Sequence, residues 1–260
     1  MRIATWNVNS VVARLPRLLD WLQDTAPDAV CLQETKIADA GFPAAEVAEL
    51  GYEAALHGDG RWNGVAILSK VGLADVVRGL PGGPGFPGPE ARSVAATCGD
   101  VRLWSVYVPN GREPGHDHYR YKLEWLAVLR DVVAADLGSN DRLVVMGDFN
   151  VAPTDADVWD PAVFTESTHV TPPERAALEA LRATGLVDVV PRPLKYDHPF
   201  TYWDYRAGNF HKNLGMRIDL VYATPPVADA VTDAYVDREA RKGKGPSDHA
   251  PVVVDLGAAG

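Results

Sequence analysis

Polar residues with chemical potential recur in this sequence where apolar runs stop. Asn7 closes Arg-Ile-Ala-Thr-Trp-Asn, Glu34 stands in Leu-Gln-Glu-Thr-Lys, and Tyr107 and Asn110 frame Tyr-Val-Pro-Asn-Gly. Asp148 and Asn150 lie in Gly-Asp-Phe-Asn, Asp219 in Arg-Ile-Asp-Leu-Val, and Asp248 and His249 in Pro-Ser-Asp-His-Ala-Pro. Together they suit phosphodiester hydrolysis around a hard cation. Mg²⁺ takes oxygen ligands and keeps several waters, so one or two carboxylates suffice. Glu34 supplies one, with an amide oxygen of Asn7 beside it. Such a metal polarises the phosphoryl group and holds the leaving oxygen. Asn150, Tyr107 and His249 can donate hydrogen bonds to phosphate oxygens. Asp219 next to His249 would set the ring's tautomer and favour the imidazolium. Asp148 could take the proton from the attacking water. Each residue alone has a plainer explanation: a turn for Asp148 or Asp248, a structural histidine, a core tyrosine. All of them being structural together is far less economical.

The elements that must position these groups alternate along the chain. Apolar runs predict strands over 2–7, 29–32, 65–68, 93–97, 101–108, 143–146, 201–205, 218–223 and 251–256. A stripe of Leu15, Leu18, Leu19 and Leu22 predicts a helix over 14–24, with Pro16 tolerated in its first turn. Further helices are expected over 118–136 and over 173–184, the last ending at Gly185. Gly99-Asp100 reads as a tight turn between two strands, and the Gly- and Pro-rich stretch 79–90 as loop. Many strands, few long helices and short connections indicate an α/β fold of β-sheets covered by helices. No linker divides the chain, which argues for one domain over 1–260. Strand ends on one edge of such a scaffold can meet in space, and loops held there are where sites lie.

The net charge of −10 argues weakly against a nucleic-acid partner, which usually selects a basic footprint. Local clusters run the other way: Arg112 with Arg120 and Lys122, and Arg238, Arg241, Lys242 and Lys244. Cys31 and Cys98 in apolar contexts read as reduced core thiols of a cytoplasmic protein. No apolar run is long enough to span a membrane and no secretory signal is visible, so no membrane partner is expected.

From Trp6-Asn7-Val8-Asn9 to Ser247-Asp248-His249, the motifs resemble the exonuclease III family of the endonuclease/exonuclease/phosphatase superfamily. Leu32 to Lys36, Asn63 to Leu68, Tyr107 to Gly111, Gly147 to Asn150, Trp203 to Arg206 and Arg217-Ile218-Asp219 carry the likeness in order. The resemblance implies a four-layer α/β sandwich, two mostly antiparallel sheets face to face with helices on both outer faces. It also implies incision 5′ of abasic sites in double-stranded DNA, with 3′-5′ exonuclease and 3′-end-processing activity. By the same resemblance Glu34 is the main ligand of Mg²⁺, with Mn²⁺ as a substitute, and Asn7 and Asp248 lie close to the metal. Asp148 activates or positions water, Asn150 orients it, Tyr107 and His249 contact phosphate, and Asp219 pairs His249. Whether Asp148 or the His249–Asp219 pair removes the water's proton stays open at this point. Tyr107 sets the chain apart from the DNase I branch, which has histidine there. Tyr202, Trp203, Met216 and Ile218 resemble the pocket for a base-less sugar; Met216 departs from the usual tryptophan. Lys36, Asn110, Arg112, Arg206 and Lys244 are expected to hold the DNA backbone and its neighbourhood. Other phosphoesterases on the same scaffold, and a DNA-binding relative without turnover, are the competing readings. A monomer is expected.

Overall fold

The structure, a computed structural model, describes residues 1–257. Its framework is two six-stranded sheets. The strands in chain order are β1 (Arg2–Asn7), β2 (Ala29–Gln33), β3 (Glu53–His57), β4 (Val65–Ser69), β5 (Ala74–Arg78) and β6 (Ser93–Cys98). Then come β7 (Val101–Tyr107), β8 (Leu143–Asp148), β9 (Val187–Asp188), β10 (Asp219–Ala223), β11 (Val231–Val236) and β12 (Val252–Leu256). One sheet has the order β11-β12-β1-β2-β4-β3, the other β5-β6-β7-β8-β10-β9. The helices that cover them include α1 (Val11–Thr25), α2 (Ala44–Glu49), α3 (Asp117–Leu137) and α4 (Pro172–Arg182).

Every residue of β2, β4, β8 and β10 is buried, which explains why these strands read as unbroken apolar runs. One core fills the space between the sheets, with Ile3, Cys31 and Ile67 facing Leu103, Val144 and Met146. A second lies between the first sheet and α1 and α2, around Trp6, Leu18, Leu22 and Val47. A third packs Trp125, Leu129 and Leu178 of α3 and α4 on the second sheet. This is the expected sandwich, helices outside and sheets inside.

Among the described residues only two strand pairs are parallel, β1 with β2 and β7 with β8. A parallel pair needs a crossover, and α1 and α3 supply it. Both strands of each pair therefore end on the same edge. Asn7 lies opposite Gln33, and Tyr107 opposite Asp148. Antiparallel β10 begins on that edge, with Asp219 opposite Asp148. Pairing β12 beside β1 brings the segment before β12 to the same place.

Some elements differ from expectation. The stretch 201–205 is not a strand; only Tyr202 makes isolated bridges, to Met216 and to His249. Strands β3, β5, β9 and β11 were not expected. Helix α1 starts at Val11, capped by the Ser10 hydroxyl, so Pro16 falls in its second turn rather than its first. The N–H that proline lacks would have met the Val12 carbonyl, and Val12 is 55% exposed, where water can serve that group. Helix α4 stops at Arg182, short of Gly185. The Gly99-Asp100 turn is present, with Gly99 at φ +60° and Cys98 opposite Val101.

Candidate active site

The sheet edge defined by these strand ends gathers Asn7, Glu34, Tyr107, Asp148, Asn150, Asp219 and His249. The amide nitrogen of Asn7 is the tie between the sheets. It donates to Glu34 Oε1 at 2.8 Å and to Asp148 Oδ2 at 2.9 Å. Asn7 is fully buried, and its Oδ1 accepts the Asn9 backbone N–H at 3.0 Å, which fixes the amide's orientation. The expected ligand oxygen of Asn7 is therefore turned away, and Asn7 organises two carboxylates instead.

His249 lies between Asp148 and a further carboxylate, Asp219. Its Nδ1 is 2.8 Å from Asp219 Oδ2, and its Nε2 is 3.7 Å from Asp148 Oδ2. Burial works against a charged ring, but Asp219 and Asp148 outweigh it and raise the His249 pKa to about 10. The two carboxylates thus favour a proton on both ring nitrogens. Burial raises Asp148 to about 7, and neighbouring Asp219 and Glu34 push the same way against the attraction of His249. Burial also opposes charge on Glu34, yet Lys36 and the Asn7 amide prevail and hold its pKa below the usual value. Lys36 Nζ sits 2.8 Å from Glu34 Oε2 and donates to Asn9 Oδ1 at 2.6 Å. Desolvation, reinforced by Glu34, pushes the Tyr107 phenol well up, so it stays a neutral donor.

Left-handed backbone concentrates here. Asn9, Glu34, Lys36, Arg112 and Asn150 all have φ between +45° and +60°. None is glycine, and residues held in such conformations cluster where surrounding contacts over-determine them, as at functional sites. Asn150 illustrates those contacts: its N–H donates to Asp148 Oδ1, its Nδ2 to Val108 O, and its Oδ1 accepts from Asn110 Nδ2.

Ligand atoms of Glu34, Asp148 and His249 lie within 4.8 Å of one another. The Glu34 oxygens are the donors suited to a hard cation, with Asp148 and Asp219 adding negative charge on either side of His249. That set fits a hard divalent cation with most of its waters retained. Asp248 Oδ1 accepts from Asn9 Nδ2 at 3.1 Å, and Asn9 in turn accepts from the Lys36 ammonium that pairs with Glu34. Asn9 is the link the sequence reading quoted without assigning; its position two residues after Asn7 was the available signal.

The remaining candidates divide. Tyr202 packs its ring 4.9 Å from that of His249. Met216 and Ile218 are 6% and 2% exposed, in an apolar cluster with Ala152 and Val158 that Phe164 and Tyr202 flank. Trp203 is not at the surface; it is buried with Phe200 and Phe210, its indole N–H donating to Asn213 Oδ1. Arg206 is exposed but bound to Asp204 at 2.6 Å. Arg112 is exposed beside Asn110, whose Oδ1 accepts its backbone N–H. Lys244 is exposed. The two basic clusters are only partly surface charge: Lys122 is fully buried against Glu174, and Arg238 and Arg241 are buried against Phe210.

The profile of the Endonuclease/Exonuclease/phosphatase family matches residues 4–249. The chain belongs to that family. It is similar to a solved 3′-5′ exonuclease from Neisseria meningitidis, 39% identical over 99% of this chain and 100% of the other, with a TM-score of 0.93. A solved AP endonuclease from Archaeoglobus fulgidus is 34% identical over 98% and 99% of the two chains, with a TM-score of 0.91. Exodeoxyribonuclease III of Haemophilus influenzae is 29% identical, covering 97% of this chain and 98% of its own.

Proposed function

We propose that this chain is a DNA-repair nuclease that hydrolyses phosphodiesters of double-stranded DNA, incising 5′ of abasic sites and trimming 3′ ends, with Mg²⁺ as its metal and Mn²⁺ as a substitute. The observation that carries the reading is the cross-sheet cluster of Asn7, Glu34 and Asp148 against the His249–Asp219 pair, in a chain alike end to end to exonucleases and AP endonucleases.

Glu34 would hold the cation as its main ligand. When bound, the metal supplies charge neutralisation at the phosphoryl and leaving oxygens. The chain's own residues do the rest. Water attacks phosphorus, the bond to the 3′ oxygen breaks, and the water's proton passes to a base. Asp219 and Asp148 favour the fully protonated His249 ring, so Asp148, raised above the usual carboxylate range, is the group suited to accept it. The His249 imidazolium, kept charged by Asp219, donates to a non-bridging oxygen, and the neutral Tyr107 phenol to another. Asn150, fixed at its backbone and its amide, orients water and phosphate. Lys36, Asn110 and Arg112 line the approach of the DNA strand. We take residues 1–260 as one catalytic domain acting as a monomer in the cytoplasm; no helix among the described residues is long and apolar enough to cross a membrane.

A second reading confines activity to 3′ ends. It is favoured by the near-complete burial of Met216 and Ile218, which leaves little apolar surface open to a flipped sugar. One experiment separates the two. A labelled duplex with a central abasic analogue, and an intact control, are incubated with Mg²⁺ or EDTA. Metal-dependent incision at the analogue, with or without trimming from the 3′ ends, supports the first reading. Laddering from the 3′ ends of both duplexes without incision at the analogue supports the second, and no cleavage of either overturns both.

A further inference from the structure

Two buried residues that the hydrolysis above leaves without a role lie at the centre of the loops that carry Asn110 and Asn150. Lys122, on the inner face of α3, and Glu174, in the first turn of α4, are both fully buried. The Lys122 ammonium, with three N–H donors, lies within hydrogen-bond distance of the carbonyl of Asn150 at 2.7 Å, that of Asn110 at 3.1 Å, the Thr168 hydroxyl at 3.2 Å, and Glu174 Oε1. The carbonyls belong to the loops that follow β8 and β7. Each loop carries a side chain facing the site, and the two side chains are joined by the Asn110 to Asn150 hydrogen bond.

Glu174 is held as tightly. Its Oε2 accepts from the Thr171 N–H and hydroxyl, closing a capping box at the start of α4, while Oε1 also accepts from the Thr168 hydroxyl and the His169 N–H. His169 in turn sets its ring Nδ1 against the same Asn150 carbonyl. The left-handed Asn150 is thus gripped from below by two groups, and the grip passes through α3 and α4 to the helical layer.

A buried ion pair is weak evidence for stability, because its desolvation offsets most of its attraction and a well-packed neutral pair serves as well. What a neutral apolar pair cannot do is bind two carbonyls from separate loops at one point. We propose that Lys122, oriented by Glu174, is a positioning residue for the hydrolysis: it fixes the Asn110 and Asn150 loops relative to each other, and so sets the reach of their side chains toward water and phosphate. The proposal rests on the nuclease reading above. Lys122 acts through those loops and touches neither substrate nor metal.

The test compares wild type with Lys122→Met and with Lys122→Met/Glu174→Gln. The single variant leaves a buried carboxylate without its cation and can fail to fold; the double variant keeps the cap hydrogen bonds and removes both charges. Melting temperature, DNA affinity in EDTA, kcat and KM on a nicked or abasic duplex, and amide exchange of segments 108–112 and 148–152 are measured. Displacing a reacting group by an ångström costs roughly 100-fold, so the double variant should lose about 30-fold or more in kcat. Its KM and DNA affinity should stay within about twofold, with faster exchange confined to the two segments. A folded double variant with wild-type kcat, or with unchanged exchange in those segments, overturns the proposal. A wild type that cuts no DNA would sink the nuclease reading instead, while exchange still decides whether Lys122 clamps the loops.

Discussion

Replacing Asn7 by aspartate changes one heavy atom and inverts its role. The Nδ2 that donates to Glu34 at 2.8 Å and to Asp148 at 2.9 Å becomes an oxygen facing two carboxylates. Each hydrogen bond to a charged group contributes about 1.5–3 kcal/mol, so losing both removes at least about 3 kcal/mol before repulsion is added. For a chain of this size each kcal/mol corresponds to about 2–4 °C, which predicts a fall in melting temperature of about 6–12 °C at pH 8 in EDTA. Two further consequences distinguish repulsion from simple misfolding. Lowering the pH to about 5 should recover part of the loss, as one of three crowded carboxyls takes a proton. Adding Mg²⁺ should raise the variant's melting temperature more than the wild type's, because the cation then meets a third carboxylate. Differential scanning fluorimetry over pH and metal concentration reads all three. A variant that melts within about 2 °C of wild type in EDTA would show that the amide presents its oxygen to the site, and would refute the assignment of Asn7 as a cross-sheet donor.

Asp148→Asn should lower kcat by at least about 100-fold with DNA binding retained, and Glu34→Ala should raise the Mg²⁺ needed for half-maximal activity; steady-state kinetics against metal concentration check both. His118 accepts the Gly111 N–H on Nδ1, and burial lowers its pKa to about 4. Between its ordinary value of about 6.5 and that folded value the unfolded chain binds the extra proton, so stability falls as pH drops through this window. His118→Gln should flatten that slope in urea melts, and an unchanged slope would show that His118 does not titrate there. Arg112→Ala should lower the salt dependence of DNA affinity by about one unit of the log–log slope. Arg206→Ala should change it less, since Asp204 already neutralises Arg206; a larger effect for Arg206 would mean that the pair opens on DNA.

The parts of the fold legible in the sequence are the strands with neighbours on both sides. β1, β2, β4, β6, β7, β8, β10 and β12 were all readable, and all are interior strands. β3, β5, β9 and β11 were not, and these are the four sheet edges. An edge strand pairs on one side only and is blunted by polar residues, as Glu53, Asp75, Asp188 and Asp233 show. Its alternation is then too diluted to stand out from loop. The site was readable for the converse reason: Asn7, Glu34, Asp148 and Asp219 interrupt interior runs where burial makes a polar residue costly. Two things were hidden. The direction of the Asn7 amide depends on a backbone N–H two residues away, which side-chain type does not reveal. The burial of Lys122 among flanking charges depends on a carboxylate 52 positions later. Glu174 serves both the Thr171 capping box and the Lys122 ammonium, a double use that no local pattern reveals.

The pairing of β1 with β12 has a consequence for synthesis. As the chain leaves the ribosome, β1 to β4 can associate early, and the second sheet through β10 can follow. Until residues 252–256 emerge, however, β1 is an open edge, since β12 is its other partner. His249 likewise arrives some 240 residues after Asn7, whose carbonyl receives the Ser247 hydroxyl. The cluster that would cut a phosphodiester is therefore assembled last. A chain that stops before Ser247 has neither His249 nor β12, so it lacks the imidazole of the cluster and leaves β1 as an open edge exposed to edge-to-edge aggregation.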